Sequence, residues 1–157
     1  MTLSAWRLVR AARADDAFSG EGARLFGGRW NPPGLRVTYL SGARSLAALE
    51  VLVHQAERVP VGLFYFFEVR FEEALVSTIT TSELDAKWQS YPPRAPTVAL
   101  GRDWILQKRS AVLRVPSVLI PEECNYLLDP DHPQAGEIEF GRKAPFTFDV
   151  RLLKAQG

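Results

Sequence analysis

Cysteine is nearly absent from this chain, which carries only Cys124 among 157 residues. An internal disulfide is therefore excluded, the usage suits a reducing cytosol, and the core alone has to hold the fold. Histidine is scarce too. His54 and His132 stand far apart, and two histidines with one cysteine make no zinc site, so no metal is expected. No stretch approaches the ~20 apolar residues of a membrane span, and the N-terminus lacks a signal-peptide core. The expected setting is cytoplasmic, with no membrane contact. Charge of one sign is missing as well. With 19 basic and 18 acidic residues the net charge is +1, so nothing advertises direct nucleic-acid contact, and an RNA-cleaving role has no support.

Familiar catalytic signatures are also lacking. Gly20-x-Gly22 followed by Gly27-Gly28 has the wrong spacing for a dinucleotide fingerprint, and there is no P-loop. Gly-x-Ser-x-Gly is absent, which removes an α/β-hydrolase elbow. Cys124 with His54 or His132 would make a nucleophile pair, but a lone cysteine is more often a small core hydrophobe.

What is present fits one domain, residues 1–157, with an apolar fraction of 46% and enough length to bury a core. Eleven prolines and eleven glycines, spread along the chain, predict short elements and many turns. Alternation predicts strands at 5–10, 37–40, 62–71 and 75–80. Further short strands are expected at 111–115, 117–120, 125–128, 137–140 and 146–152. Residues 11–28 read as a loop with at most one helical turn. Helices are predicted at 44–57, 82–90 and 97–110. The first of these has an apolar face through Leu46, Leu49, Leu52, Val53 and Ala56, with Glu50 at its edge. Strands and helices mix without a steady βαβ rhythm, so the class is α+β.

The stretch Gly27–His54 is the most informative. Arg29 sits in a turn crowded with glycine and proline, Tyr39 closes a β-rich run, and Glu50 lies in an otherwise apolar helix. A carboxylate there needs a partner, because burying a lone charge is costly. It is either salt-bridged to Arg29, Arg44 or Arg7, or part of a site that meets a cation or forms one in its transition state.

At Gly28-Arg29-Trp30-Asn31, Val37-Thr38-Tyr39, Leu49-Glu50-Val51-Leu52-Val53-His54 and Val115-Pro116-Ser117 the chain resembles the RES domain family, named for its arginine, glutamate and serine. The similarity continues through Ile120-Pro121, the run from Asn125 to Pro133 and the opening Trp6-Arg7-Leu8. It thus covers most of the chain. This resemblance implies an ADP-ribosyltransferase-like fold, mixed sheets with short helices around a central cleft. It implies the toxin of a toxin–antitoxin pair that cleaves the nicotinamide–ribose bond of NAD⁺ as glycohydrolase or phosphorylase. The alternatives are an ADP-ribosyltransferase acting on a protein and a catalytically silent binding module. The implied partner is an Xre-type helix-turn-helix antitoxin, and a homodimer is plausible for the family. By the same resemblance Glu50, Arg29 and Tyr39 are catalytic, while Arg29, Tyr39, Ser117, Asn125 and Arg7 bind NAD⁺. His54 and His132 are expected to be structural.

Overall fold

The computed structural model describes residues 1–54 and 60–153. In chain order the strands are β1 (Thr2–Arg10), β2 (Thr38–Ser41), β3 (Phe64–Glu72), β4 (Val76–Thr78), β5 (Val112–Pro116), β6 (Cys124–Leu128) and β7 (Glu139–Phe146). The α-helices are α1 (Glu21–Phe26), α2 (Arg44–His54) and α3 (Ala95–Leu106). The strands hydrogen-bond in the order β4-β5-β6-β2-β1-β3-β7, with β4 and β5 parallel and the other neighbours antiparallel. The class is α+β, as the sequence predicts.

The pairing has a seam. β1 runs against β3 along its whole length, Thr2↔Glu72 to Arg10↔Phe64, and all of β2 pairs with β6. β1 and β2 meet at one place only, Trp6↔Ser41. The seven strands form one sheet whose narrowest junction lies between β1 and β2, where the Tyr39 carbonyl falls outside the paired register and takes no rung from β1. A side chain supplies one: Arg7 Nη1 donates to it at 2.9 Å. An unpaired backbone carbonyl inside a protein costs about as much as a lost hydrogen bond, so this link stands in for a missing rung.

Strand alternation sorts the core onto two faces. Val112, Tyr126 and Leu128 pack with Ala5, Val69 and Phe71. Their neighbours Leu113, Val115 and Leu127 join Trp30, Trp88 and Trp104 on the other side. A third cluster of Leu8, Ala47, Phe64 and Phe148 fastens α2 to β1 and β3.

Several predicted elements differ. Residues 11–28 hold a 3₁₀ turn, Ala11–Asp16, as well as α1. The helix predicted at 82–90 is only a three-residue 3₁₀ turn, Thr81–Glu83, closed by a Thr80–Glu83 capping box. Beyond it the carbonyls of Trp88 and Ser90 bond to Arg29 rather than to a following helical turn. No strand forms at 117–120. There the Ser117 hydroxyl accepts the N–H groups of Leu119 and Ile120, both at 3.1 Å, and folds the chain into a turn. The strands predicted at 137–140 and 146–152 are instead one strand, β7, followed by a 3₁₀ turn. Gly141 and Pro145 look like breakers in sequence. β7 carries them because it lies at the sheet edge, opposite a register shift between Phe67 and Val69.

The predicted face of α2 is also rotated. Leu46 and Ala47 are buried, whereas Leu49 and Val53 are 40% and 49% exposed. The predicted end of that helix, residues 55–57, lies outside the described residues. Ala47, Glu50, Val51 and His54, spaced three and four apart, form the stripe that faces inward over the seam.

Candidate functional site

A cavity of about 560 Å³ opens where β1 and β2 diverge. β1 lends it Trp6 to Arg10, β2 lends Tyr39 to Ser41, and β6 lends Asn125. The α2 stripe and parts of the segment from Arg13 to Ala23 close the other sides. Its size suits a medium-sized organic ligand.

Glu50 has one hydrogen-bond donor and one ion-pair neighbour. Asn125 Nδ2 donates to Oε1 at 3.1 Å, and His54 Nε2 stands 3.6 Å from Oε2. The carboxylate is only 22% exposed. The bond to Glu50 raises the His54 pKa, against burial and the Arg29 charge. Their pairing therefore contributes stability in full below the unfolded histidine value, and that contribution is lost as pH rises through the folded one. Imidazole NMR should find His54 titrating above the ordinary value of about 6.5 and falling back in Glu50→Gln. A titration unmoved by that substitution would show the pair is not formed in solution.

Arg7 supplies the opposite charge. Burial pulls its pKa down to about 10, partly offset by Asp16 at longer range. Its Nε is buried with no partner among the described residues, as are Trp6 Nε1 and Asn125 Oδ1. Native interiors rarely leave such atoms unpaired. All three atoms belong to residues that line the cavity.

Tyr39 is among the residues that line the cavity, its side chain packs against the Trp30 cluster, and its hydroxyl is committed to the turn Gly28–Asn31. The hydroxyl donates to Asn31 Oδ1 and accepts the Trp30 N–H at 3.2 Å. Burial pushes the phenol pKa well up, against the Trp30 N–H and Arg29. With its proton committed and its ionisation suppressed, Tyr39 offers a surface and not an acid or base. Asn31 is itself 1% exposed, and its Nδ2 donates to the carbonyls of Ala23 and Pro32 at 2.9 and 3.0 Å. Those two bonds fix the amide so that Oδ1 must face Tyr39. Gly28 completes the fit, since a Cβ there would lie 2.6 Å from the Tyr39 hydroxyl oxygen. Tyr39→Phe leaves the Trp30 N–H and Asn31 Oδ1 short of a partner, so denaturant melts should show a loss of about 1–3 kcal/mol. An unchanged midpoint would mean the two groups pair without the hydroxyl.

Arg29 does not line this cavity. Its Nη1 donates to the carbonyls of Trp88 and Ser90 at 2.8 and 2.9 Å, tying the turn to the 88–90 loop. Burial lowers its pKa, while Glu50 and Tyr39 raise it, so its charge still acts on both. Ser117 lies apart as well, fully buried, its hydroxyl taken up by the turn after β5. Of the six residues singled out in sequence, the cavity thus gathers Glu50, Tyr39, Asn125 and Arg7. Sequence reasoning gave no role to Asn31 or Gly28 and left His54 as structural. The one available signal was the asparagine between the Gly27-Gly28 pair and Pro32-Pro33. No group of three His, Cys, Asp or Glu able to hold a metal occurs among the described residues, and no helix there is long and apolar enough to cross a membrane.

Comparison with known proteins adds an independent line. A family model described as RES domain matches residues 4–149. A "Prs ADP-ribosylating toxin" from Sphingobium sp. (strain YBL2) is 35% identical over 161 residues, covering 98% of this chain and 99% of that protein. A "Toxin Res" from Yersinia enterocolitica is 33% identical over 148 residues, covering 94% and 97%. Among solved structures, the M. tuberculosis MbcT–MbcA toxin–antitoxin complex contains a chain matching with TM-score 0.77 at 21% identity, over 94% of this chain and 85% of that one. At that identity the likeness speaks for the fold.

Proposed function

The chain belongs to the RES domain family, and from that premise we propose that it is a toxin of a toxin–antitoxin pair that cleaves the nicotinamide–ribose bond of NAD⁺. The observation that carries this reading is the α2 carboxylate Glu50, set between Asn125 and His54 on the wall of a cavity that also holds the buried cation Arg7.

In NAD⁺ the nicotinamide nitrogen is already cationic. When the bond from ribose C1′ breaks, the ring takes the bonding pair and leaves neutral, so no general acid is required. Positive charge moves onto the sugar as an oxocarbenium ion. A carboxylate already in place stabilises that charge without reorganising at the moment of reaction. Glu50 has that role, and Asn125 aims it. Arg7 meets the anionic pyrophosphate from within the cavity, and Arg29, tied to the carbonyls of Trp88 and Ser90 in the turn beside it, adds positive charge at longer range. The Tyr39 ring packs against the nicotinamide. In this arrangement Ser117 acts on the site by shaping the turn that leads towards β6, which carries Asn125.

The name of the Sphingobium relative supports NAD⁺ as substrate, because ADP-ribosylation consumes it. The toxin of the mycobacterial complex is bound to an antitoxin, and the corresponding partner here is an antitoxin of the Xre helix-turn-helix type that covers the cavity. Homodimerisation of the toxin belongs to the same reading.

The deciding experiment incubates purified protein with NAD⁺, with and without inorganic phosphate, and follows nicotinamide and the sugar product by mass. Release of nicotinamide supports the proposal. ADP-ribose then names water as acceptor, and its phosphorylated form names phosphate. NAD⁺ that stays intact in both, and also with candidate acceptor proteins added, would overturn it.

A further inference from the structure

α3 contributes no residue to the cavity wall, yet it touches the site through one atom that is missing. A Cβ built on Gly101, in the middle of α3, would lie 1.6 Å from the carbonyl oxygen of Trp30, 2.6 Å from its carbonyl carbon and 3.1 Å from its Cβ. The first two approaches are impossible and both involve backbone, so no rotamer change relieves them. Gly101 does not have the positive φ that favours glycine, and inside a helix glycine costs about 1 kcal/mol relative to alanine. Space is the reason for it. The surroundings leave little slack: Trp30 and Trp104 are 3% and 1% exposed in the same cluster, and Trp104 Nε1 donates to Ser110 Oγ at 2.9 Å.

What α3 presses on is the turn Gly28–Asn31. That turn carries Arg29 and supplies the Trp30 N–H and Asn31 Oδ1 that hold the Tyr39 hydroxyl. Gly28 lets Tyr39 approach from one side, and Gly101 lets α3 approach from the other. We propose that Gly101 is a positioning residue, setting Arg29 and Tyr39 in place through the close approach of α3 to the Trp30 peptide. The proposal rests on the NAD⁺-cleaving reading for its kinetic readout but not for its structural one.

The experiment compares Gly101→Ala with Val69→Ala. Val69 is fully buried in the opposite cluster, so its truncation costs stability without pushing the turn. A Cβ at Gly101 must displace the turn or the helix by on the order of 1 Å or more, and such a shift costs about 100-fold in turnover efficiency. At a temperature where both variants are folded by circular dichroism, Gly101→Ala should lose about that much kcat/KM for NAD⁺. Val69→Ala should stay close to wild type even if it melts lower. In amide NMR the Trp30 N–H resonance should move in Gly101→Ala and not in Val69→Ala, and this arm decides even if the wild type leaves NAD⁺ intact. Equal losses in the two variants, or an unmoved Trp30 resonance, overturn the proposal. Should Gly101→Ala not fold, the pair Gly101→Ala with Ile105→Ala decides, because removing the buried Ile105 side chain, one turn along α3 in the same cluster as Trp30, opens room into which the crowded turn can shift. A folded pair with a shifted Trp30 amide and a lowered kcat/KM supports the proposal, and a folded pair with wild-type values of both overturns it. An unfolded pair overturns it by making the contact a requirement of folding.

Discussion

Glu50→Gln should reduce NAD⁺ consumption by a hundredfold or more while the melting temperature stays within a few degrees of wild type. The substitution keeps size and hydrogen bonding. The new amide oxygen still accepts from Asn125 Nδ2, and its NH₂ turns towards His54. What disappears is the negative charge that the proposed mechanism sets against the developing oxocarbenium, and loss of one such preorganised group costs about 10²–10³ in turnover. The fold does not depend on that charge, because Glu50 lies at the cavity wall and its one close cationic partner is the exposed His54. The measurement is nicotinamide release at saturating NAD⁺ alongside a thermal melt. Full activity in the variant would remove Glu50 from the chemistry, and inactivity with a collapsed melt would make it a structural residue.

The second large effect belongs to Asn31, through the fold first and activity second. Asn31→Asp changes one atom and removes both donors to the Ala23 and Pro32 carbonyls. It also places a carboxylate among carbonyl oxygens at a site 1% exposed. Leaving those acceptors unpaired around a buried charge costs about 3 kcal/mol or more at neutral pH, or roughly 6–12 °C in melting temperature for a chain of this size. The pH dependence has a definite sign. Burial among carbonyls raises the introduced carboxyl above its unfolded pKa of about 3.9. Its stabilising protonated form is therefore fully present below that value and lost as pH rises through the folded pKa. The gap in melting temperature between variant and wild type should widen from pH 5 to pH 8. A gap constant across that range would mean the carboxyl stays neutral or finds a donor.

The sequence made the apolar framework readable. β1, β3, α2 and α3 follow alternation or helical spacing closely enough to be placed within a few residues. Reading failed where the backbone is satisfied by distant side chains, which leave no periodic trace. Arg29 takes the carbonyls of Trp88 and Ser90 from a predicted helix, and the Ser117 hydroxyl turns a predicted strand into a bend. The site follows the same division. Glu50 stands out as a charge in an apolar helix, and Tyr39, Arg7 and Asn125 follow from ordered motifs. Asn31 and Gly101 escaped because their importance lies in what they orient or exclude from far along the chain; the glycine and proline pairs around Asn31 mark a turn but not that role.

At the seam the two half-sheets share one residue pair, and a guanidinium spans the gap beside it. On either side the strand registers are fixed by full ladders, so a change there would turn every buried side chain outward. Between them the opening is fixed by what Arg7 and its neighbours can reach. The breadth of the cleft is thus encoded in side chains and not in strand pairing. Substitution at a handful of positions can widen or narrow it with the architecture untouched, which leaves one scaffold free to admit ligands of very different size.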